Sequence, residues 1–267
     1  TITEPVKMCV TSPPYYGLRN YGDEENQIGM EESPEKYIEQ LVEVFRSVRD
    51  VLTDDGILWV NIGDTYYNYR SDGNYPKQTV SKTNQDLPSF SPVRGNKLEG
   101  YKSKDLIGIP WMLAFALRKD GWYLRQDIIW HKPNPMPESV RDRCTKSHEY
   151  IFLLSKSKNY YFDVDSIKES TIDGKGLKRK KSVWNIKTKP YKDAHFAVYP
   201  PELIEPCIMS GSQKGDIILD PFMGSGTTGM VAKSLGRHYI GCELHESYGK
   251  LIQNRVSEYT INLENFV

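Results

Sequence analysis

Ser12-Pro13-Pro14-Tyr15 places a hydroxyl, two ring-locked residues and an aromatic face at four consecutive positions. Pro14 removes the N–H that would follow the Pro13 carbonyl, and both prolines fix φ, so the turn is stiff. The Ser12 hydroxyl and a backbone carbonyl can accept two hydrogen bonds from one NH₂ group, while Tyr15 offers its ring to a planar partner. An exocyclic amine on a nucleobase is a poor nucleophile, because its lone pair is delocalised into the ring. Two acceptors on its protons favour the tetrahedral nitrogen that can attack an electrophilic methyl group. Reaching such an amine inside duplex DNA requires flipping the base out of the stack. Taken alone, the same four residues also serve as a rigid surface turn.

A second signal is Asp220-Pro221-Phe222-Met223-Gly224-Ser225-Gly226-Thr227-Thr228-Gly229, a tight loop between a predicted strand and a predicted helix. Glu243 ends the following strand, 23 residues after Asp220. Such a unit binds a nucleoside-bearing cofactor: glycines admit close backbone approach, helix N–H groups face the ligand, and the acid takes ribose hydroxyls. Gly224, Gly226 and Gly229 also satisfy the dinucleotide spacing G-x-G-x-x-G. An NAD-dependent oxidoreductase is therefore a competing reading, although it leaves Ser12–Tyr15 unexplained. Glycines that merely serve a turn are a third.

Smaller signals divide the same way. Cys9, Cys144, Cys207 and Cys242 form no CxxC pair, and the five histidines form no HxxxH, so neither a disulfide framework nor a metal site is expected. Pro206-Cys207 matches the dipeptide of a cytosine-C5 nucleophile, but an amine target needs no thiolate addition and a buried structural thiol fits the helical run. Asp64, at a strand end, either touches the target or caps a loop. Gly174–Lys192 carries eight Lys/Arg and no acid. It is either a solvated basic loop or a phosphate-contacting segment with Lys178, Arg179, Lys180, Lys181 and Trp184 against DNA.

The elements that must position these groups follow from periodicity. Strands are predicted at Lys7–Val10, Ile57–Ile62, Tyr123–His131, His148–Leu154, Asp216–Leu219 and His238–Cys242. One helix starts at Ser33-Pro34, is lined by Ile38, Leu41, Val42, Phe45, Val48 and Leu52, and stops at Gly56. Others run from about Lys104 to Lys119 (with Pro110 starting it late or kinking it), from Pro200 to Met209, up to Leu235, and onward from Ser247. Helices alternating with short apolar strands imply an α/β fold with a mostly parallel sheet covered on both faces. Residues 66–104 read as a polar insertion. The 267 residues carry 35 basic and 35 acidic side chains and 38% hydrophobic residues, enough for an ordinary core and against a disordered or fibrous chain. The longest uncharged apolar run, Ile107–Leu117, is half of the ~20 residues a membrane span needs, and no secretory leader opens the chain. A cytoplasmic protein is expected.

Together these motifs resemble the S-adenosylmethionine-dependent DNA amino-methyltransferases, specifically the β class, whose catalytic half precedes its cofactor half. The resemblance rests on residues 11–22, Leu58-Trp-Val-Asn-Ile-Gly-Asp-Thr-Tyr66, Ile129-Trp-His-Lys-Pro-Asn-Pro-Met-Pro137, His195-Phe-Ala-Val-Tyr-Pro200, Asp220–Thr228 and Gly241-Cys-Glu-Leu244. It implies one Rossmann-like domain over residues 1–267 with a seven-stranded sheet, and a target-recognition segment at 157–193. By similarity Ser12, Pro13, Pro14 and Tyr15 are catalytic. Asp220, Pro221, Phe222, Gly224, Ser225, Gly226 and Thr227 line the cofactor, Glu243 and Leu244 flank its ribose, and His195, Phe196 and Pro200 close the other side. Members usually carry a longer segment before the first strand, with an acidic residue near the cofactor. Ten residues precede Thr11 here, so that part of the pocket stays unassigned. Ser12, where adenine-N6 members mostly carry Asp or Asn, implies cytosine N4 as the target, with adenine N6 as the alternative. Double-stranded DNA, a homodimer and a cognate restriction endonuclease are the expected partners. A catalytically dead DNA-binding relative is disfavoured, because both halves of the site are present.

Overall fold

The computed structural model describes residues 2–17, 27–67, 97–189 and 199–264, without the side chains of 247 and 258–264. Strand β1 (Val6–Thr11) is followed by helix α1 (Pro34–Val51), β2 (Leu52–Ile62), α2 (Ile109–Lys119), β3 (Tyr123–His131) and β4 (His148–Ser155). Three short strands come next: β5 (Glu169–Ser170), β6 (Leu177–Lys178) and β7 (Val183–Asn185). The remainder is α3 (Pro201–Gly211), β8 (Ile217–Asp220), α4 (Thr227–Ser234), β9 (His238–Gly241) and α5 (Ser247–Glu264).

Seven strands form one sheet in the order β7-β3-β4-β2-β1-β8-β9. Only β4 runs antiparallel to its neighbours, β2 and β3. The mostly parallel seven-stranded α/β architecture expected from the sequence is thus the architecture observed. Alternate side chains of the central strands enter opposite cores, as strand pleating requires. Cys9, Leu58, Val60 and Ile62 pack with Tyr37, Leu41 and Phe45 of α1 and Leu113 of α2. Met8, Val10, Ile57 and Trp59 pack with Leu203 and Ile208 of α3 and Val231 of α4.

Two local outcomes differ from the sequence reading, and a third decides between its alternatives. Helix α1, capped where Ser33 Oγ accepts from Lys36 N, ends at Val51 and passes directly into β2. Gly56 lies inside that strand, at an irregularity between the Val6–Leu52 and Met8–Ile57 pairings, and does not stop the helix. Pro110 starts α2 late: the helix begins at Ile109 behind Gly108, whose φ of 88° is left-handed. The seventh strand, β7, lies inside the basic run, where Trp184 supplies its buried side chain. Residues 68–96 of the polar insertion lie outside the described residues. Its two ends are joined by Tyr67 N donating to Asp105 O at 2.8 Å and Ile107 N to Thr65 O at 3.0 Å. Among the described residues, no helix is long and apolar enough to cross a membrane.

Candidate active site

Sequence order and spatial order differ most around β1. It lies between β2 and β8, at the point where connections depart in opposite directions across the sheet, and crevices at such switch points are where open α/β sheets bind ligands. The Ser12 turn therefore leaves β1 beside the glycine-rich loop leaving β8. Thr11 Oγ1 donates to Asp220 Oδ1 at 2.5 Å and joins the two turns across 209 residues of sequence.

Asp220 is fully buried and turned inward. Its Oδ1 also accepts from Phe222 N at 3.0 Å, and its Oδ2 accepts from Thr228 Oγ1 at 2.5 Å and Tyr199 OH at 3.1 Å. Burial raises its carboxyl above the usual carboxylate range, opposed by the donors from Thr11, Thr228, Phe222 N and Tyr199. With its oxygens so occupied, Asp220 shapes the loop from behind. Gly226, at φ 84°, caps α4, and a Cβ there would lie 3.2 Å from Ile252 Cα of α5. Buried Arg255 of the same helix donates to Ser225 Oγ at 2.5 Å. Among the described residues, only Phe222 O, at 4.0 Å, lies within reach of a Cβ position on Gly224, whose φ is 52°, so none of them fills the space over the turn. Glu243 follows β9 and accepts from Gly224 N at 2.8 Å and His245 N at 3.0 Å, which fixes its carboxylate against the loop. Pro221 and Phe222 are half-buried, Thr227 is buried at the first turn of α4, and Leu244 is exposed. Pro200 caps α3; His195 and Phe196 lie outside the described residues.

In the other turn, the Pro14 carbonyl accepts from Tyr37 OH at 2.7 Å. Among the described residues no donor meets the Pro13 carbonyl. The Tyr15 hydroxyl points inward. It donates to Glu149 Oε2 at 2.6 Å and accepts from Asn61 Nδ2 at 2.9 Å, with Ser12 Oγ 3.5 Å away. Burial, then the Glu149 carboxylate, pushes the Tyr15 hydroxyl well above its ordinary value. Lys132 forms an ion pair with the other Glu149 oxygen. Gly63 has no room for a side chain, since a Cβ would lie 2.6 Å from Tyr15 Cε2. Asn61, Lys132 and Glu149 were not singled out in the sequence, because their partners stand on other strands. Lys132, just after β3, and Glu149, on β4, sit at the sheet edge where β1 and β2 end.

Asp64 acts as a cap. Its Oδ1 accepts from Thr65, Gly108 and Ile109 N at 2.9, 3.0 and 3.0 Å and anchors the start of α2. Cys207 is a buried thiol of α3, pushed up by burial and directed at Leu203 O. The expectation that Trp184 touches DNA is corrected. The ring is 4% exposed, stands 6.4 Å from Trp59, and donates from Nε1 to Lys181 O. Around it, Lys178 pairs with Glu169 and Lys180 lies over the Trp184 ring, while Arg179 and Lys181 are exposed. Among the described residues, no cluster of three His, Cys, Asp or Glu side chains is placed to hold a metal.

Residues 6–254 match the family profile described as DNA methylase, of the N6/N4 type. The chain belongs to the DNA amino-methyltransferase family. This methyltransferase is 50% identical over 258 residues to the Type II methyltransferase M.Cfr9I of Citrobacter freundii, which covers 97% of this chain and 83% of that one. It is 53% identical over 248 residues to the Type II methyltransferase M.SmaI of Serratia marcescens, covering 92% and 82%. The fold matches the PvuII DNA methyltransferase (cytosine-N4-specific) with a TM-score of 0.67 at 17% identity over 97% and 85% of the two chains. It also matches M1.HpyAVI in complex with SAM, with a TM-score of 0.54 at 21% identity over 95% and 89%. The cofactor of the methyltransferase is S-adenosylmethionine.

Proposed function

We propose that the enzyme methylates the N4 amine of a cytosine flipped out of double-stranded DNA at a specific sequence. The observation that carries this reading is the convergence of the Ser12 turn and the glycine-rich loop on adjacent strands, joined by Thr11 and Asp220. S-adenosylmethionine supplies an electrophilic methyl group on a sulfonium centre. The open turn over Gly224 fits it. Phe222, Gly224, Ser225, Gly226 and Thr227 hold its methionine end, Asp220 and Pro221 set the loop, Glu243 and Leu244 serve the ribose, and His195, Phe196 and Pro200 close the far side. Ser12 Oγ and the Pro13 carbonyl accept the two amine protons and concentrate electron density on nitrogen, while Pro14 and Gly63 hold the Tyr15 ring beside them. With its hydroxyl buried, Tyr15 works through its ring face.

Ser12 favours cytosine N4, because a short neutral hydroxyl accepts the amine proton of the smaller ring without a buried carboxylate at that position. Three carboxylates of the neighbourhood have partners elsewhere: Asp220 in its loop, Glu149 behind Tyr15 and Asp64 at the start of α2. Adenine N6 is the second reading, since both amines need the same two acceptors. Lys178, Arg179, Lys180 and Lys181 contact DNA phosphates. The reading also assigns the enzyme to the cytoplasm, to a homodimer, and to a restriction endonuclease reading the same sequence. Digesting methylated random-sequence DNA to nucleosides and identifying them by mass tests the target atom. N4-methylcytosine is expected, and N6-methyladenine alone would reverse the base assignment.

A further inference from the structure

Hydrogen-bond direction, not distance alone, distinguishes the Ser12–Tyr15–Glu149 chain. The Glu149 carboxylate is met by three donors: Tyr15 OH at 2.6 Å, Asn61 Nδ2 at 3.1 Å and the Lys132 ammonium. Ringed this way, it acts as an acceptor. A phenol has one proton to give, and that of Tyr15 is committed to Glu149. The Tyr15 oxygen must then accept from its remaining neighbours, Asn61 Nδ2 at 2.9 Å and Ser12 Oγ at 3.5 Å. The Ser12 proton is thereby directed inward; one lone pair of its oxygen faces Asn61 Nδ2 at 3.4 Å, and the other is left for whatever enters beside the Pro13 carbonyl.

We propose that Glu149 sets this polarity: acting through Tyr15, it keeps the Ser12 proton turned inward, so that Ser12 meets the target amine as an acceptor. Glu149 is a positioning residue, and Lys132 and Asn61 hold it in that office. A hydroxyl free to rotate would donate as readily as accept, and would admit a carbonyl-bearing base where an amine belongs. The inference deepens the amine-methylation reading above and rests on it. It also assigns the Tyr15 hydroxyl a task that ring stacking leaves unexplained.

E149Q tests it with an isosteric group. The glutamine amide presents N–H to Tyr15, which reverses the chain and turns the Ser12 proton outward against the amine. The single-turnover methyl-transfer rate is expected to fall about tenfold or more, while KM for DNA and cofactor affinity stay within about twofold. A second readout is affinity for duplexes carrying uracil in place of the target cytosine, where O4 replaces the amine (hypoxanthine if the mass assay finds adenine). Wild type should prefer the amine, and E149Q should narrow that preference about fivefold or more, since its outward donor suits O4. Y15F, which removes the acceptor for the Ser12 proton, should narrow the preference too, and adding E149Q to Y15F should change nothing further. An E149Q enzyme with wild-type rate or undiminished amine preference overturns the proposal, as does further loss in the Y15F background. A wild-type enzyme that methylates no DNA amine would overturn the functional reading instead, before any variant is compared.

Discussion

Gly63→Ala separates the placement of the Tyr15 ring from the other tasks of the site. A Cβ on Gly63 lies 2.6 Å from Tyr15 Cε2 and 3.1 Å from Cδ2, whereas carbon–carbon contacts settle near ~3.5–4.0 Å. Ring and methyl must therefore part by about 1 Å. Gly63 is held between β2 and Asp64, whose Oδ1 is fixed by three backbone N–H groups, so the ring moves. The Tyr15 hydroxyl stands 2.6 Å from Glu149 and 2.9 Å from Asn61. An ångström of travel takes both bonds to or beyond the ~3.5 Å limit of a useful hydrogen bond. Losing two such bonds costs about 1–3 kcal/mol, and a displacement of that size at a reacting centre costs on the order of 100-fold in rate. Single-turnover transfer of labelled methyl to DNA should therefore slow by roughly 30–100-fold. Cofactor affinity, set by the loop after β8, should stay within about twofold by calorimetry. A folded variant that keeps the wild-type rate would refute the claim that this ring position matters.

Glu243→Ala should weaken cofactor binding about tenfold or more with little effect on DNA affinity, because a charge-assisted bond is worth ~1.5–3 kcal/mol; unchanged calorimetric affinity would sink the ribose assignment. Replacing the exposed pair Arg179 and Lys181 by Ala should reduce the salt slope of DNA binding by about 1.8, two phosphate contacts at ~0.9 each. Lys178→Ala should reduce it less, since that ammonium already faces Glu169. Asp220→Asn addresses pH. Burial raises the Asp220 carboxyl, so the folded state holds that proton more tightly than the unfolded chain. Its contribution to stability is present at low pH and is lost as pH rises through the folded value. Urea midpoints should therefore move in favour of D220N, relative to wild type, as pH rises from about 4; a difference that does not change with pH would contradict the assignment.

Runs of apolar residues made β1, β2, β4 and β8 readable, and Ser33-Pro34 marked the start of α1. Two outcomes hid because the decisive partner is remote. Asp64 caps a helix that begins 45 residues later, and a strand-end carboxylate beside a target site carries the same local signature. Tyr15 meets Asn61 and Glu149 across 46 and 134 residues, so its hydroxyl could not be seen to point inward. Trp184 misled for a different reason. An aromatic residue among lysines fits nucleic-acid stacking, yet Val183-Trp184-Asn185 has the exposed–buried–exposed alternation of an edge strand. Three residues are too few for that period to stand out against the charge around them. The glycine-rich loop was legible in outline, but the inward turn of Asp220 depends on Thr11 and Tyr199, which no spacing rule connects to it.

The bond from Thr11 to Asp220 also sets a clock. Translation at ~5–20 residues per second needs roughly 10–40 s to pass from one to the other, and β1 is an interior strand of the sheet, between β2 and β8. During that interval β1 can pair with β2 while its opposite edge, reserved for β8, presents free N–H and C=O groups to any passing strand. The reactive centre is therefore among the last features the growing chain acquires. Any truncation before β8 removes both the cofactor loop and the strand that shields this edge, which makes incomplete chains prone to aggregate as well as inactive.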